Sequence, residues 1–340
     1  MTAITTLIPA YKPDYLGETL LGLRRQSFRD FRVVVSDDSP GAVITDMIRD
    51  RRFGAATDGL DLTVVRGPGD ARRNHEQLLD LWNRTTPFVH LLMDDDVPFP
   101  EFYRIHLQAH VREKFSVTAS ARWLSKNDAT PGWSLPLPAF IEDSSQHIVS
   151  VDAAQLFESV IPACQNWVGE LSNMLWSAEA AARYPRASSA EGLSYCGLLD
   201  IGAVLETISM RPLGFIREYL GVFRQHGGQT SVSVGSQGHK RGTVVWAAYA
   251  LHAWAQGRVD DRAAVRAIST TVRRCLDSYG EGDPVLDEFY DLVQQRGGCL
   301  ADLHAGFSAF WQQRLAPRPW LAPAAAAVAS PVRDGVAAEA

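Results

Sequence analysis

Cysteine is scarce in this chain: Cys164, Cys196, Cys275 and Cys299 are scattered through 340 positions. No two of them form a CxxC pair, which excludes a zinc ribbon or a thioredoxin-type redox site. Their density is too low for a disulfide framework, so the thiols are expected to be reduced and the protein intracellular. Long apolar runs are lacking too. The best of them, Val244 to Ala255, is interrupted by His252 and is too short to span a bilayer. The first residues, Met1 to Pro9, show no basic n-region of the kind that opens a signal peptide. A cytoplasmic location without a membrane span is the expectation. Positive charge is in deficit, with Lys+Arg 33 against Asp+Glu 39 and a formal net charge of −6. Without a basic tract the chain is a poor partner for nucleic acid or for an anionic membrane surface.

Common catalytic loops are also missing. No Walker A or GxGxxG follows a predicted strand, and no GxSxG elbow occurs. Pro98 occupies the slot where a haloacid-dehalogenase motif needs Thr or Val and a terpene-synthase motif needs Asp. Pro9-Ala10-Tyr11-Lys12-Pro13 stands where a sugar nucleotidylyltransferase carries a Gly-rich loop.

What is present is an ordinary globular composition, 46% hydrophobic and 21% charged. The first hundred residues alternate strand and helix signals. Strands are predicted at Thr5 to Ala10, Phe31 to Val35, Leu62 to Val65 and Phe88 to Met93. Leu16, Leu20 and Leu23 repeat at helical spacing, Ile44 to Arg51 reads as a helix, and Asp70 caps another through Leu78, Leu79 and Trp82. That order implies a parallel sheet covered by helices on both faces. Further strands are expected at Val117 to Leu124, at Leu171 to Trp176 and within Pro212 to Phe223, and a helix at Leu198 to Met210. Ser125 to Ser150 reads as a long loop. From Gly238 to about Leu315 the pattern is helical, with one face at Val244, Ala248, Leu251 and Ala255 and another at Val265, Ile268, Val272 and Leu276. Ala316 to Ala340 has the Ala/Pro-rich composition of a disordered tail.

Three carboxylates, Asp94-Asp95-Asp96, follow the fourth strand directly. Such crowding is unfavourable without a cation or donors, and ligands of parallel sheets sit beyond the carboxyl ends of strands. The position suits Mg or Mn held together with a diphosphate; an acidic turn capping the next helix is the plainer possibility. Asp37-Asp38 ends the second strand and could accept from a nucleobase N–H, or form an Asx turn before Pro40. Arg72-Arg73-Asn74 opens a helix behind Gly67-Pro68-Gly69, suited to phosphate or base contacts or to plain solvation. Trp123, Trp133 and Phe140 border the long loop and either stack on a sugar or pack the loop itself.

Taken together, Thr6-Leu-Ile-Pro-Ala-Tyr11, Gln26-Ser-Phe-Arg-Asp-Phe31, Val33-Val-Val-Ser-Asp-Asp-Ser39, Ala71-Arg-Arg-Asn74 and Leu91-Leu-Met-Asp-Asp-Asp-Val97 with Pro100 resemble glycosyltransferase family 2. Trp167-Val-Gly169, Asp200 and Phe223-Arg-Gln-His-Gly227 extend the resemblance more loosely. It implies a GT-A fold: an α/β, Rossmann-like, mostly parallel sheet sandwiched by helices in residues 1–236, with a nucleotide-binding half (1–110) and an acceptor half (111–236). A helical C-terminal appendage (237–316) and a tail (317–340) would follow.

By the same resemblance Pro9, Ala10, Tyr11, Asp37, Arg72, Arg73, Asp94 and Asp95 would hold a nucleotide sugar. Asp94, Asp95, Asp96 and His226 would hold Mn or Mg, and Asp200 would be the general base. Asp200 follows Leu199 where the family usually has a Glu-Asp pair, so Glu170, Glu191 and Glu206 stand as alternatives. The implied reaction is inverting transfer of one sugar from a UDP-sugar, with dTDP or GDP as rival nucleotides, to an acceptor the sequence does not specify. The Gln-x-x-Arg-Trp motif of processive membrane synthases is absent. The alternative reading is a catalytically silent GT-A-shaped nucleotide-binding or scaffold protein, a homodimer through its C-terminal helices.

Overall fold

The computed structural model describes residues 2–126, 128–184, 198–227 and 236–315. The tail at 317–340 and Glu191 lie outside these residues.

The first half runs β1 (Ile4–Ala10), α1 (Pro13–Arg24), β2 (Phe31–Asp37), α2 (Val43–Arg49), β3 (Leu62–Arg66), α3 (Ala71–Trp82) and β4 (Phe88–Leu91). Alternation along β1 explains why it is apolar throughout. Ile4 and Ile8 enter one core with Leu16, Leu20 and Leu23 of α1, while Leu7 enters the other with Leu78, Leu79 and Trp82 of α3. Gly69, at φ +78°, turns the chain into α3, and the Asp70 carboxylate accepts from the Arg73 N–H at 3.0 Å as its N-cap. β1 to β4 pair in parallel, with Ala10 opposite Asp37, Asp37 opposite Arg66 and Leu7 opposite Leu91. This register brings the carboxyl ends of four strands to one edge.

The second half is β5 (Val97–Pro98), α4 (Phe102–Arg112), β6 (Val117–Lys126), α5 (Ala139–Glu142), β7 (Ile148–Val151), α6 (Ala153–Val160), β8 (Met174–Ser177), α7 (Ala178–Ala181), α8 (Leu199–Thr207) and β9 (Leu213–Gln225). The sheet order is β3-β2-β1-β4-β8-β6-β9-β5, with β7 also on β9. β8 lies antiparallel between β4 and β6, whereas β9 runs parallel to β6 and antiparallel to β5 and β7.

Three helices here, α4, α5 and α6, escaped the sequence reading. The buried face of α4 includes His106 and His110 beside Phe102, Ile105 and Ala109, and those histidines mask its apolar period. α6 starts at a capping box between Asp152 and Gln155. The stretch expected to be a long loop at 125–150 contains α5 and the start of β7.

The C-terminal part is helical as expected: α9 (Gln237–Ala255), α10 (Asp261–Tyr279), α11 (Pro284–Arg296), α12 (Leu300–Phe310) and a π-helical turn at Trp311–Leu315. Its apolar side chains form one core with Trp167, Trp176 and Phe215 of the sheet half. The Tyr249 hydroxyl donates to the Leu198 carbonyl at 2.5 Å, and Arg274 donates to the Cys164 carbonyl at 2.5 Å.

One predicted face is corrected. Val265 and Leu276 are exposed, and α10 buries Ala264, Ala267, Ile268, Thr271 and Cys275. A stripe of small residues lets α10 approach closely, and a search for large apolar side chains passes over it. Ala255, expected on the buried face of α9, is exposed as well. Cys164, Cys275 and Cys299 carry free thiols. Among the described residues no helix is long and apolar enough to cross a membrane.

Candidate active site

The edge where β1, β2 and β4 end is organised by the three aspartates. Asp94 Oδ2 accepts from the backbone N–H groups of Tyr11 at 2.7 Å and Lys12 at 3.1 Å, and its carbonyl accepts from the Thr19 hydroxyl at 3.0 Å. Its carboxylate therefore closes the turn between β1 and α1. Burial, with repulsion from Asp95, raises the carboxyl to about 6 against the two N–H donors. Pro9 and buried Ala10 form the strand end beside it, and the Tyr11 ring is exposed, open to stack on a planar base.

Asp95 Oδ2 lies 3.0 Å from His226 Nε2, and its carbonyl accepts from Arg224 Nε at 2.8 Å. Arg224 is almost wholly buried. Its guanidinium also donates to Glu18 at 2.7 Å and sits 4.2 Å from the centre of the Tyr15 ring. Asp96 Oδ1 accepts from the Arg224 N–H at 3.0 Å, while Oδ2 is buried without a partner at hydrogen-bond geometry, with the Ser172 hydroxyl nearby. Burial, then repulsion from Asp95 and from Glu170, pushes Asp96 well above the ordinary carboxylate range, against Ser172 and the Arg224 N–H.

Asp37 is different. Its carboxylate is buried and accepts from the N–H and hydroxyl of Ser39, at 2.9 and 2.5 Å, and of Thr45, at 2.8 and 2.6 Å. Burial alone would raise it, but these four donors outweigh burial and hold it below its ordinary value. Both oxygens are thus occupied within the protein, and half-exposed Arg66 is the nearby side chain that reaches solvent, 3.7 Å from Asp37. Arg72 pairs with Glu76 one turn along α3 at 3.1 Å, and the Arg73 N–H is taken by the Asp70 cap.

Beyond the triplet a narrow recess of about 10 Å³ is lined by Asp96, Arg122, Glu170, Ser172, Asn173 and Phe223, among others. That is room for about one water molecule. Arg122, from β6, grips Glu170 with two N–H groups, Nη2 to Oε1 at 2.9 Å and Nε to Oε2 at 2.5 Å. Asp200, in the first turn of α8, accepts from Asn166 Nδ2 at 3.1 Å and from the Ile201 N–H at 2.8 Å. Burial and the nearby charge of Glu170 raise Asp200 to about 7, against the Ile201 N–H and Arg122.

Asn166 is itself fixed to both backbone groups of Gly169, at 2.8 and 3.1 Å. Gly169 sits at φ +117°, and a Cβ there would come within 2.3 Å of Asn173 Oδ1, so the turn requires glycine. Of the alternatives to Asp200, Glu170 is committed to Arg122. Glu206 lies six residues along α8, about 240° around its axis from Asp200. The sequence reading gave no role to Arg122, Asn166, Ser172 or Arg224. Arg122 could have been found as the one charge inside the strand run Val117 to Leu124.

The donor set admits a divalent cation. Among the described residues no group of three His, Cys, Asp or Glu side chains forms an all-protein cage. Asp95 and His226 nonetheless present an oxygen and a nitrogen side by side, next to the unpartnered Asp96 oxygen. Mg and Mn are commonly held by one or two protein ligands completed by substrate phosphates.

No protein-family model matches the chain, and no curated protein matches it in sequence. Solved structures do match in shape. The chain superposes on Staphylococcus aureus TarS 1–349 in complex with UDP-GlcNAc with TM-score 0.51 and 14% identity, covering 92% of each chain. For TarS 1–349 in complex with UDP the values are 0.52 and 13%, covering 91% of this chain and 89% of that one. Against a longer TarS structure they are 0.53 and 14%, covering 91% of this chain and 54% of that one. The architecture is the GT-A glycosyltransferase fold, as the sequence resemblance implied.

Proposed function

We propose that the protein is a nucleotide-sugar-dependent glycosyltransferase of the family 2 type. It transfers one sugar by a single, inverting displacement to an acceptor hydroxyl, with a UDP-sugar as the favoured donor. The observation that carries this reading is the contrast between two partly buried carboxylates. Asp200, raised to about 7, is poised to exchange a proton near neutral pH, while Glu170 beside it is held by Arg122. The fold, and the UDP and UDP-GlcNAc complexes of its structural neighbour TarS, support the choice of donor.

In this reading the strand ends carry the nucleotide. Tyr11 stacks on the base, and Arg66, Arg72 or Arg73 face the base or phosphates. Asp95, Asp96 and His226 would hold Mn or Mg together with the diphosphate; the ion would offset the charge that develops on the departing nucleotide. Asp200 takes the acceptor's proton as the oxygen attacks the anomeric carbon, and Asn166 fixes the orientation of its carboxylate. Arg224 holds this segment in two ways: its Nε donates to the Asp95 carbonyl and its backbone N–H donates to the Asp96 carboxylate.

The test is a thermal-shift screen of UDP-, dTDP- and GDP-sugars with and without Mn, followed by release of free sugar from the ligand that binds. A UDP-sugar should raise Tm and be hydrolysed slowly in the presence of metal. A chain that binds none of these nucleotides would sink the reading, and one that binds but never turns over would leave a silent binding protein.

A further inference from the structure

β4 delivers the acidic triplet, and it carries one polar side chain into the core that the proposed chemistry does not use. His90 is fully buried and stacks on Phe102 with ring centres 4.7 Å apart. Its Nε2 lies 3.0 Å from the carbonyl oxygen of Ser172, and its Nδ1 lies 3.0 Å from the Tyr103 hydroxyl. The Tyr103 hydroxyl in turn lies 2.5 Å from Thr6 Oγ1. Burial pushes the imidazole down to about 4, so at neutral pH it has a single N–H. A carbonyl only accepts, which puts that hydrogen on Nε2. Nδ1 must then accept from Tyr103, and Tyr103 from Thr6. The hydrogen bonds run one way, Thr6 to Tyr103 to His90 to Ser172.

The receiving end is what matters. Ser172 lies in the single 3₁₀ turn Leu171–Asn173, which Glu170 enters directly. The Ser172 hydroxyl also accepts from the Met93 N–H at 3.0 Å. The turn is thus pinned twice to the segment that becomes Asp94, once by the His90 ring and once by Met93. Both Glu170 and Asp96 line the recess.

We propose that His90 is a positioning residue: through the Ser172 carbonyl it sets the place of Glu170, and with it the Arg122 fork and the surroundings of Asp200, relative to the Asp94–Asp96 segment. The kinetic part of this inference rests on the glycosyl-transfer reading; the clamp itself does not.

The test compares full-length wild type, His90→Phe and His90→Gln. Phe keeps the ring packing and loses both hydrogen bonds. Gln offers an N–H to Ser172 and an oxygen to Tyr103. Hydrolysis of the UDP-sugar found to bind, with Mn, is read as kcat and KM, beside Tm and amide hydrogen exchange of residues 171–174. His90→Phe should lower kcat about tenfold or more, leave donor KM within about twofold, and speed exchange in the turn, while His90→Gln recovers most of each. If His90→Phe does not fold, Tyr103→Phe, which removes the donor to Nδ1 and the acceptor of Thr6 but leaves the Ser172 bond, should show the same pattern more weakly.

Unchanged kcat and unchanged exchange in the Phe variant would overturn the proposal. So would equal losses in Phe and Gln that simply follow Tm. If wild type itself turns over no donor, the glycosyltransferase reading fails, and the exchange comparison alone decides whether His90 clamps the turn.

Discussion

The two halves of the sheet treat a carboxylate withdrawn from solvent in opposite ways. In the parallel half, Asp37 meets four donors from Ser39 and Thr45 and is held ionised below its ordinary pKa. In the mixed half, Asp200 accepts, among the described residues, from Asn166 and Ile201, shares its neighbourhood with Glu170, and is raised to about 7. A saturated carboxylate holds a loop in shape and has no capacity left for a proton near neutrality. An under-saturated one costs stability and gains chemistry. Of these two acids, the first is architecture and the second is the candidate reagent.

The comparison breaks first at Asp200. Asp200→Asn should lower kcat by ~10²–10⁴-fold, the usual loss for a general base. Nucleotide affinity measured by calorimetry should hardly move. In wild type the rate should climb with pH through about 7, as the carboxylate loses its proton, and then level off. Near-normal turnover in the variant would remove Asp200 from the reaction.

Asp37→Asn should do the reverse, costing stability on the order of 2–4 kcal/mol by placing an amide against N–H and O–H donors. The sign of its pH dependence follows from a lowered folded pKa. Asp37 stabilises the wild type above the unfolded value near 3.8, and that contribution fades as pH falls through the lower folded value. Chemical denaturation at pH 7 and in acid checks both points. A variant as stable as wild type at pH 7 would mean that the four donors are satisfied elsewhere.

Asp95→Ala should weaken Mn-dependent nucleotide binding by about tenfold or more while the fold persists, since one of the three proposed protein ligands is lost. Equal binding with and without EDTA in the wild type would remove the cation from the account.

A smaller effect sharpens the contrast. Asp200 has a raised folded pKa, so the native state keeps a proton that the unfolded chain has released. Its contribution to stability therefore declines as pH rises from near 4 to about 7. Asp200→Asn should accordingly gain Tm over wild type at pH 8, by a few degrees or so, and gain little at pH 4. Comparable in size, Arg66→Ala removes a half-exposed guanidinium that stands 3.7 Å from Asp37 and donates to the Asp37 and Ser39 carbonyls at 2.9 and 2.7 Å, and should cost about 1–2 kcal/mol by denaturant titration.

The parallel half was legible because its signals are local. The apolar runs of β1 and β2, the spacing of Leu16, Leu20 and Leu23, and the Asp70 cap each declare themselves within a few residues. The mixed half is built from partners far apart. β8 enters between β4 and β6 with reversed direction, and Arg122 meets Glu170 across 48 positions, a pairing no periodicity announces. Asp200 was reached through resemblance alone, and its raised pKa arises from burial and Glu170, which only the folded chain reveals. Asp37 shows the converse. The sequence left both a ligand contact and an Asx turn open to it, and in the fold its carboxylate accepts from Ser39 and Thr45. The stripe of small residues on α10 was hidden for a third reason, because apolar bulk and burial are different quantities.

The reach of Arg224 has a consequence for how the chain is made. Its backbone N–H meets Asp96 across 128 positions, and its guanidinium meets Glu18 across 206. A growing polypeptide finishes β1 to β4 long before Arg224 and His226 have been added. During that interval β4 lacks β8, its partner on the outer side, and is the bare edge of an incomplete sheet. Unpaired edges invite strands of other molecules, and natural proteins guard them with charge. Three unneutralised aspartates directly after β4 place that guard at the strand's end. The residues proposed to hold a cation in the finished protein thereby act during synthesis as a deterrent to aggregation, until the last strand arrives to cover them.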